Sequence, residues 1–193
     1  MTASWSSDAA SVAAVSPTGQ VAGLRTGQAT IRASYESWVT SRALRVVPDV
    51  EGTWAGQYRT VGCTRTSGGG PSSCRFVVGA VFPFGAVLRQ VGEDVSGTLD
   101  LPTTSGRPFE SGPVRGRVDP SGALTLEGTT YSVDLTHQGE TTLSDWDTTL
   151  DGATGVMTGR FVKNTAFQNL WGLRENREEC EVLRLSRSPA GAP

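Results

Sequence analysis

AVLRQVGEDVSGTLDL, residues 86–101, is the stretch whose reading decides the fold. Its two arms alternate apolar and polar residues around Gly92-Glu93-Asp94, which is the pattern of a β-hairpin. The second arm holds the quintet Val95-Ser96-Gly97-Thr98-Leu99, and the same apolar, polar, Gly, polar, apolar order recurs at residues 54–58, 114–118, 126–130 and 157–161. The copy at 126–130 is imperfect, since Thr130 closes it. Residues two apart share a strand face, so each quintet sets its two ends and its glycine on one side and its polar residues on the other. A sheet made of such units curls, with glycine at the bends. The inward glycines leave room for a cavity or for close packing of the opposite wall.

Working outward from the hairpin, strand patterns occur at 53–62, 86–91, 95–101, 113–118, 123–128, 141–150, 156–162 and 180–185. Residues 74–82 are a possible ninth strand, and 131–135 extend the fifth or form another. Turn signals at Asp119-Pro120-Ser121-Gly122 and Asp151-Gly152-Ala153-Thr154-Gly155 keep neighbours close in sequence, hence antiparallel. Residues 164–178 break the alternation, with Phe167, Leu170 and Trp171 at roughly helical spacing, and predict a short helix or a loop across a barrel end. Twenty-four glycines and the lack of a long amphipathic helical stretch place the whole chain in the all-β class.

The segment Val46-Val47-Pro48-Asp49-Val50 is a short, semi-rigid junction that splits the 193 residues into two units. The expected division is 1–47 for a small unit, 48–51 for a linker, 52–188 for the larger β unit and 189–193 for a disordered tail. A net charge of −2 with scattered arginines gives no electrostatic footprint for nucleic acid. All but one of the 17 Lys and Arg are arginine, which reads as codon bias of a GC-rich genome. No apolar run nears the roughly 20 residues of a membrane span, and the N-terminus carries no signal-peptide pattern.

In the first unit the runs Trp5-Ser6-Ser7-Asp8, Val12-Ala13-Ala14-Val15-Ser16, Gly19-Gln20-Val21-Ala22-Gly23 and Gly27-Gln28-Ala29-Thr30-Ile31-Arg32-Ala33 resemble the bacterial Ig-like group 2 domain, a β-sandwich of surface and secreted proteins. The resemblance begins in the middle of the module. It implies that the opening strands precede Met1, leaving an open edge and part of one apolar face uncovered. In the second unit Gly52-Thr53-Trp54 resembles the lipocalin or calycin G-x-W signature. That resemblance implies that Trp54 plugs the closed end of an up-and-down barrel of about eight antiparallel strands, with Gly52 beside it and Arg184 or Arg187 packed over the ring. With Leu143-Ser144-Asp145-Trp146 added, this unit is similar to uncharacterised lipocalin-like domains that follow Ig-like modules in secreted bacterial proteins. The resemblance implies an extracellular or cell-surface location and brings no activity.

Candidate chemistry is sparse. Cys63 and Cys74 bracket a Thr/Ser/Gly/Pro loop, and a bridge between them would contribute roughly 3 kcal/mol. A bridge from Cys180 to one of them, or reduced thiols, are the alternatives, and the spacing is no zinc pattern. His137, the single histidine, reads as an exposed loop residue rather than part of a triad. Asp145, Asp147 and Asp151 depart from the calcium-loop pattern and read as a solvated strand face ending in a turn. Trp5, Trp54 and Trp146 fall at core positions, whereas Trp38 and Trp171 are freer to line a sugar or apolar-ligand site.

The sequence thus predicts a partial Ig-like sandwich followed by a barrel, in a non-enzymatic protein without metal or cofactor. The small unit serves as spacer or adhesion module. The barrel either binds a small apolar molecule near Trp171, Phe167 and Leu170 or is structural, and cell-surface carbohydrate is the other partner class. The alternative function is a secreted hydrolase of carbohydrate or peptidoglycan using Asp145, Asp147 or Glu175 as acid and base.

Overall fold

The computed structural model describes residues 2–68, 74–101, 110–133, 138–169 and 172–188. They fall into two units, one formed by residues 1–49 with 119–122 and the other by the rest of the chain.

In the small unit, β1 (Ser4–Ser7), β4 (Gly27–Tyr35) and β5 (Trp38–Val46) form an antiparallel sheet in the order β1-β4-β5. The strands β2 (Ala13–Val15) and β3 (Val21–Gly23) form a separate hairpin. Alternation along β4 points Ala29 and Ile31 inward, and they join Ala13 in a small core flanked by Val12, Val15, Leu44 and Val46. The Asp8 carboxylate accepts the Thr30 N–H at 2.6 Å and ties the end of β1 to β4.

The larger unit is a closed barrel of eight antiparallel strands. They are β6 (Gly52–Ser67), β7 (Val81–Val91), β8 (Asp94–Leu101), β9 (Glu110–Val118), β10 (Ala123–Val133), β11 (Gln138–Asp151), β12 (Val156–Asn169) and β13 (Gly172–Arg187). Each strand pairs with its neighbour in sequence, and β13 closes on β6 from Glu175↔Ser67 to Arg187↔Trp54. The eight strands read from the sequence are present but longer. Residues 131–133 extend the fifth, whereas the expected ninth strand begins as a one-turn helix, α1 (Cys74–Val77).

The quintets do what their pattern requires. Val95, Leu99, Trp54, Tyr58, Val114, Val118, Leu126, Met157 and Phe161 are all buried, and the residues between them face outward or lie at intermediate depth. Their glycines, however, hold open neither a cavity nor a contact with the opposite wall. A Cβ at Gly97 or Gly116 would strike the backbone carbonyl of the adjacent strand, Val87 or Thr125. Glycine is needed there because neighbouring strands cross closely where the sheet coils to close.

The described residues of 164–178, namely 164–169 and 172–178, are strand rather than helix or capping loop. β12 runs to Asn169 and β13 starts at Gly172, with a continuous ladder from Asn164↔Arg177 to Asn169↔Gly172. The hydrophobic alternation fails there because the inward positions are polar, as described next.

Candidate functional site

The barrel interior has two halves. At the end where the barrel begins, Trp54 is buried, its Nε1 donates to the Val50 carbonyl at 2.9 Å, and the Arg187 guanidinium lies 5.3 Å from its ring centre. The Val50 N–H donates to Gln90 Oε1 at 2.7 Å, which seats the entering chain against β7. Farther in, Trp146 stacks on Phe161 at 4.8 Å between centroids. Phe161 meets Tyr58 edge-on at 5.2 Å, and Tyr58 meets Phe84 at 5.6 Å. This half is a packed aromatic and aliphatic core.

Past Phe161 the inward side chains become polar. Lys163 and Glu178 are register partners on β12 and β13, and their side chains are only 5% and 3% exposed. Their Nζ and Oε2 atoms lie 3.0 Å apart, and Nζ also donates to the Tyr58 hydroxyl at 3.2 Å. The cation sits 5.2 Å from the Tyr58 ring centre and 5.9 Å from that of Phe82. Burial alone disfavours the ammonium, but its electronegative neighbours, Tyr58 first and then Glu178 and Cys180, push the Lys163 pKa above the ordinary lysine value. Burial also pushes the Tyr58 hydroxyl and the Cys180 thiol up to about 12 against the pull of Lys163. Both therefore keep their protons at neutral pH, and the counter-charge of Lys163 is the Glu178 carboxylate. Glu178 Oε2 is the oxygen that Lys163 holds, and Thr60, opposite Cys180, meets its thiol.

One register row farther, Thr130↔Thr141, Thr141↔Thr165 and Thr165↔Asn176 place four polar side chains side by side across β10 to β13. All four are buried. The Cys63–Cys74 disulfide is formed, and the Cys74 sulfur lies 3.9 Å from Asn176 Oδ1, so the bridge pins α1 beside this row. Cys180 is a free, buried thiol.

The other residues singled out in the sequence are distributed as follows. Arg187 is the arginine over Trp54, while Arg184 is exposed. A register shift between Val182 and Arg184 turns Arg184 outward and brings Leu185 and Arg187 to the inner side. Leu170, Trp171 and His137 lie outside the described residues, and Phe167 is a position on β12 paired with Gly139 and Arg174. Asp145 and Asp147 are both exposed on either side of buried Trp146, at a bulge where Asp145 has φ 48°. The Asp145 carboxylate pairs with Arg177 at 3.3 Å.

Glu175 is opposite Ala166, whereas Asp145 follows Ser144, which is opposite Val162. Strand spacing along and across the sheet then separates the Asp145 and Glu175 backbones by roughly 18 Å, so the two do not converge on one site. Glu175 instead shares a row with Glu140 across Ala166, beside an outer-wall depression of about 260 Å³. Troughs of about 470 and 500 Å³ run along the outer wall where the β10–β11 ladder is interrupted between Leu124 and Gly128. No described helix is long and apolar enough to cross a membrane, a statement that does not bear on β-barrels. Among the described residues there is no group of three or more His, Cys, Asp or Glu able to hold a metal ion.

Sequence reasoning missed Lys163, Glu178, Thr165 and Asn176. The available signal was the single lysine of the chain set two residues from Phe161, where the quintet period places it on the inner face. Comparison with protein-family models, with curated proteins and with solved structures finds no match to this chain. The class that the fold itself defines is an eight-stranded antiparallel barrel joined to a small β unit.

Proposed function

We propose that this is a non-enzymatic extracellular or cell-surface binding protein, whose lipocalin-like barrel holds a small ligand in its polar half and whose Ig-like unit serves as spacer. The observation that carries the reading is the row Thr130–Thr141–Thr165–Asn176 set beside the Lys163–Glu178 pair. A barrel built for stability alone gains most from aliphatic filling, because buried ions and hydroxyls cost desolvation. Polar groups gathered on one inner wall instead suit a ligand that hydrogen-bonds to them. Lys163 and Glu178 cancel in charge, so the ligand is neutral and rich in hydrogen-bonding groups, more polar than the apolar molecule expected from the sequence.

Native mass spectrometry of protein purified from its own host tests this. The expected result is a mass above that of the chain, lost on denaturation, with occupancy reduced in Thr141→Val/Thr165→Val. Bare chain in every native spectrum, together with a valine variant at least as stable as wild type, would show that the hydroxyls are mere filling. The hydrolase alternative would draw its acid and base from Asp145, Asp147 or Glu175. Hydrolysis of a polysaccharide by the wild type that Asp145→Asn/Asp147→Asn or Glu175→Gln abolishes would replace the binding reading.

A further inference from the structure

The sheet of the small unit is covered over only part of its inner face. Register places Ala29 with Leu44, Ile31 with Arg42, Ala33 with Thr40 and Tyr35 with Trp38, while β1 sets Trp5 against Ala33 and Ser7 against Ile31. Side chains of paired residues emerge on one face. Trp5, Tyr35 and Trp38 therefore share the face of Ile31, whose other half packs on Ala13 and its neighbours. Trp5 lies against the turn at Gly19, where a Cβ would come within 2.7 Å of its ring, whereas beyond it Tyr35 is 38% and Trp38 78% exposed. Between and beside them lie Ala33, which leaves the surface low, and the hydrogen-bonding side chains of Thr40 and Arg42.

We propose that this half-face is a saccharide-binding platform, in which Trp38 and Tyr35 stack on pyranose rings and Thr40 and Arg42 bond ring hydroxyls. The size of the patch and its mixed chemistry argue for this occupant. The two strands that carry the open positions, about 4.8 Å apart, over four residues of about 3.4 Å each give roughly 130 Å². A stable protein partner needs about 800 Å² per side, so the patch is too small to hold a second copy or a globular domain. It matches a few sugar units, whose apolar ring faces and hydroxyl edges call for aromatic surface interleaved with hydrogen-bonding groups. The hairpin sets the two residues opposite each other, because Tyr35 and Trp38 flank the two-residue turn Glu36-Ser37, with Glu36 at φ 52°. Saccharide binding on this face does not rest on the binding reading of the barrel.

The test is affinity electrophoresis of the full chain in gels containing hydroxyethyl cellulose, a neutral β-glucan, or glycol chitin, a β-linked N-acetylhexosamine polymer. Retardation is expected in at least one gel. Trp38→Ala, a change at an exposed side chain, should weaken it about tenfold or more, and Tyr35→Ala should also weaken it. Val39→Ala alters a 63% exposed side chain on the opposite face and should leave it unchanged. Wild type that runs freely in both gels overturns the proposal, as does equal loss in the Val39 and Trp38 variants. So does a dimer by sedimentation that Trp38→Ala converts to monomer, since the face would then be an interface between copies.

Discussion

The two halves of the barrel interior are built on the same eight strands and obey opposite rules. Around Trp54, Trp146 and Phe161 the inward residues are apolar, and each adds burial that stabilises the closed sheet. Around Lys163 and Glu178 the inward residues include two charges and a row of small polar groups, which stabilise only while each keeps its partner. The difference separates what the fold needs from what it carries. Buried ions and hydroxyls stabilise less than aliphatic filling of the same space would, so the polar half calls for another reason.

Removing one charge should give the largest effect. Lys163→Met leaves the Glu178 carboxylate buried without its cation, and the expected loss is about 3–5 kcal/mol in urea unfolding. The double variant Lys163→Met/Glu178→Leu should recover most of that loss or exceed wild-type stability. Failure of the second change to rescue the first would mean that the pair is part of what closes the barrel, and the contrast between the halves would collapse. In the other half, Trp146→Ala removes the ring stacked on Phe161 and should cost about 3–5 kcal/mol. No single partner change should restore it, because the lost contacts are spread over Phe84 and Phe161.

A rise of pH above neutral should act on the polar half. In the folded protein Tyr58 and Cys180 hold their protons up to about 12, whereas the ordinary values, which the unfolded chain regains, are 10.0 and 9.0. Between those limits the folded state binds more protons than the unfolded one, and Lys163, also raised, adds in the same sense. Stability is therefore full below about pH 9 and falls as pH rises toward 12. Urea midpoints measured across this range should fall for wild type and for Trp146→Ala alike. The decline should be shallower in Tyr58→Phe/Cys180→Ala, and an unchanged decline there would move the titrating groups elsewhere.

Legibility in the sequence follows the same division. The apolar half announces itself through the quintets, since alternation of apolar and polar residues is what a half-buried strand looks like. In the polar half Lys163, Thr165, Asn176 and Glu178 occupy inner positions, so the strands lose their apolar face in the sequence and residues 164–178 read as helix or loop. Register is the other hidden quantity. That Thr130, Thr141, Thr165 and Asn176 form one row depends on how four strands are aligned, which no segment states by itself. The Cys63–Cys74 bridge was within reach because its ends are only 11 residues apart.

The contact over Trp54 offers the smallest and most discriminating test, because it turns on a bulge of one residue. Counting by twos from Val182 would bring Arg184 inward, and the register shift before Arg184 instead delivers Leu185 and Arg187. Arg187 covers the Trp54 ring at 5.3 Å, in a setting open enough for water to reach the guanidinium. A cation–π contact of that kind contributes about 0.5–1 kcal/mol. Arg187→Ala should therefore lower stability by about that amount and shift Trp54 fluorescence, whereas Arg184→Ala should leave both unchanged. Equal effects from the two variants would mean that the bulge does not set the direction of the last strand, and that the apolar half is closed by burial of Trp54 alone.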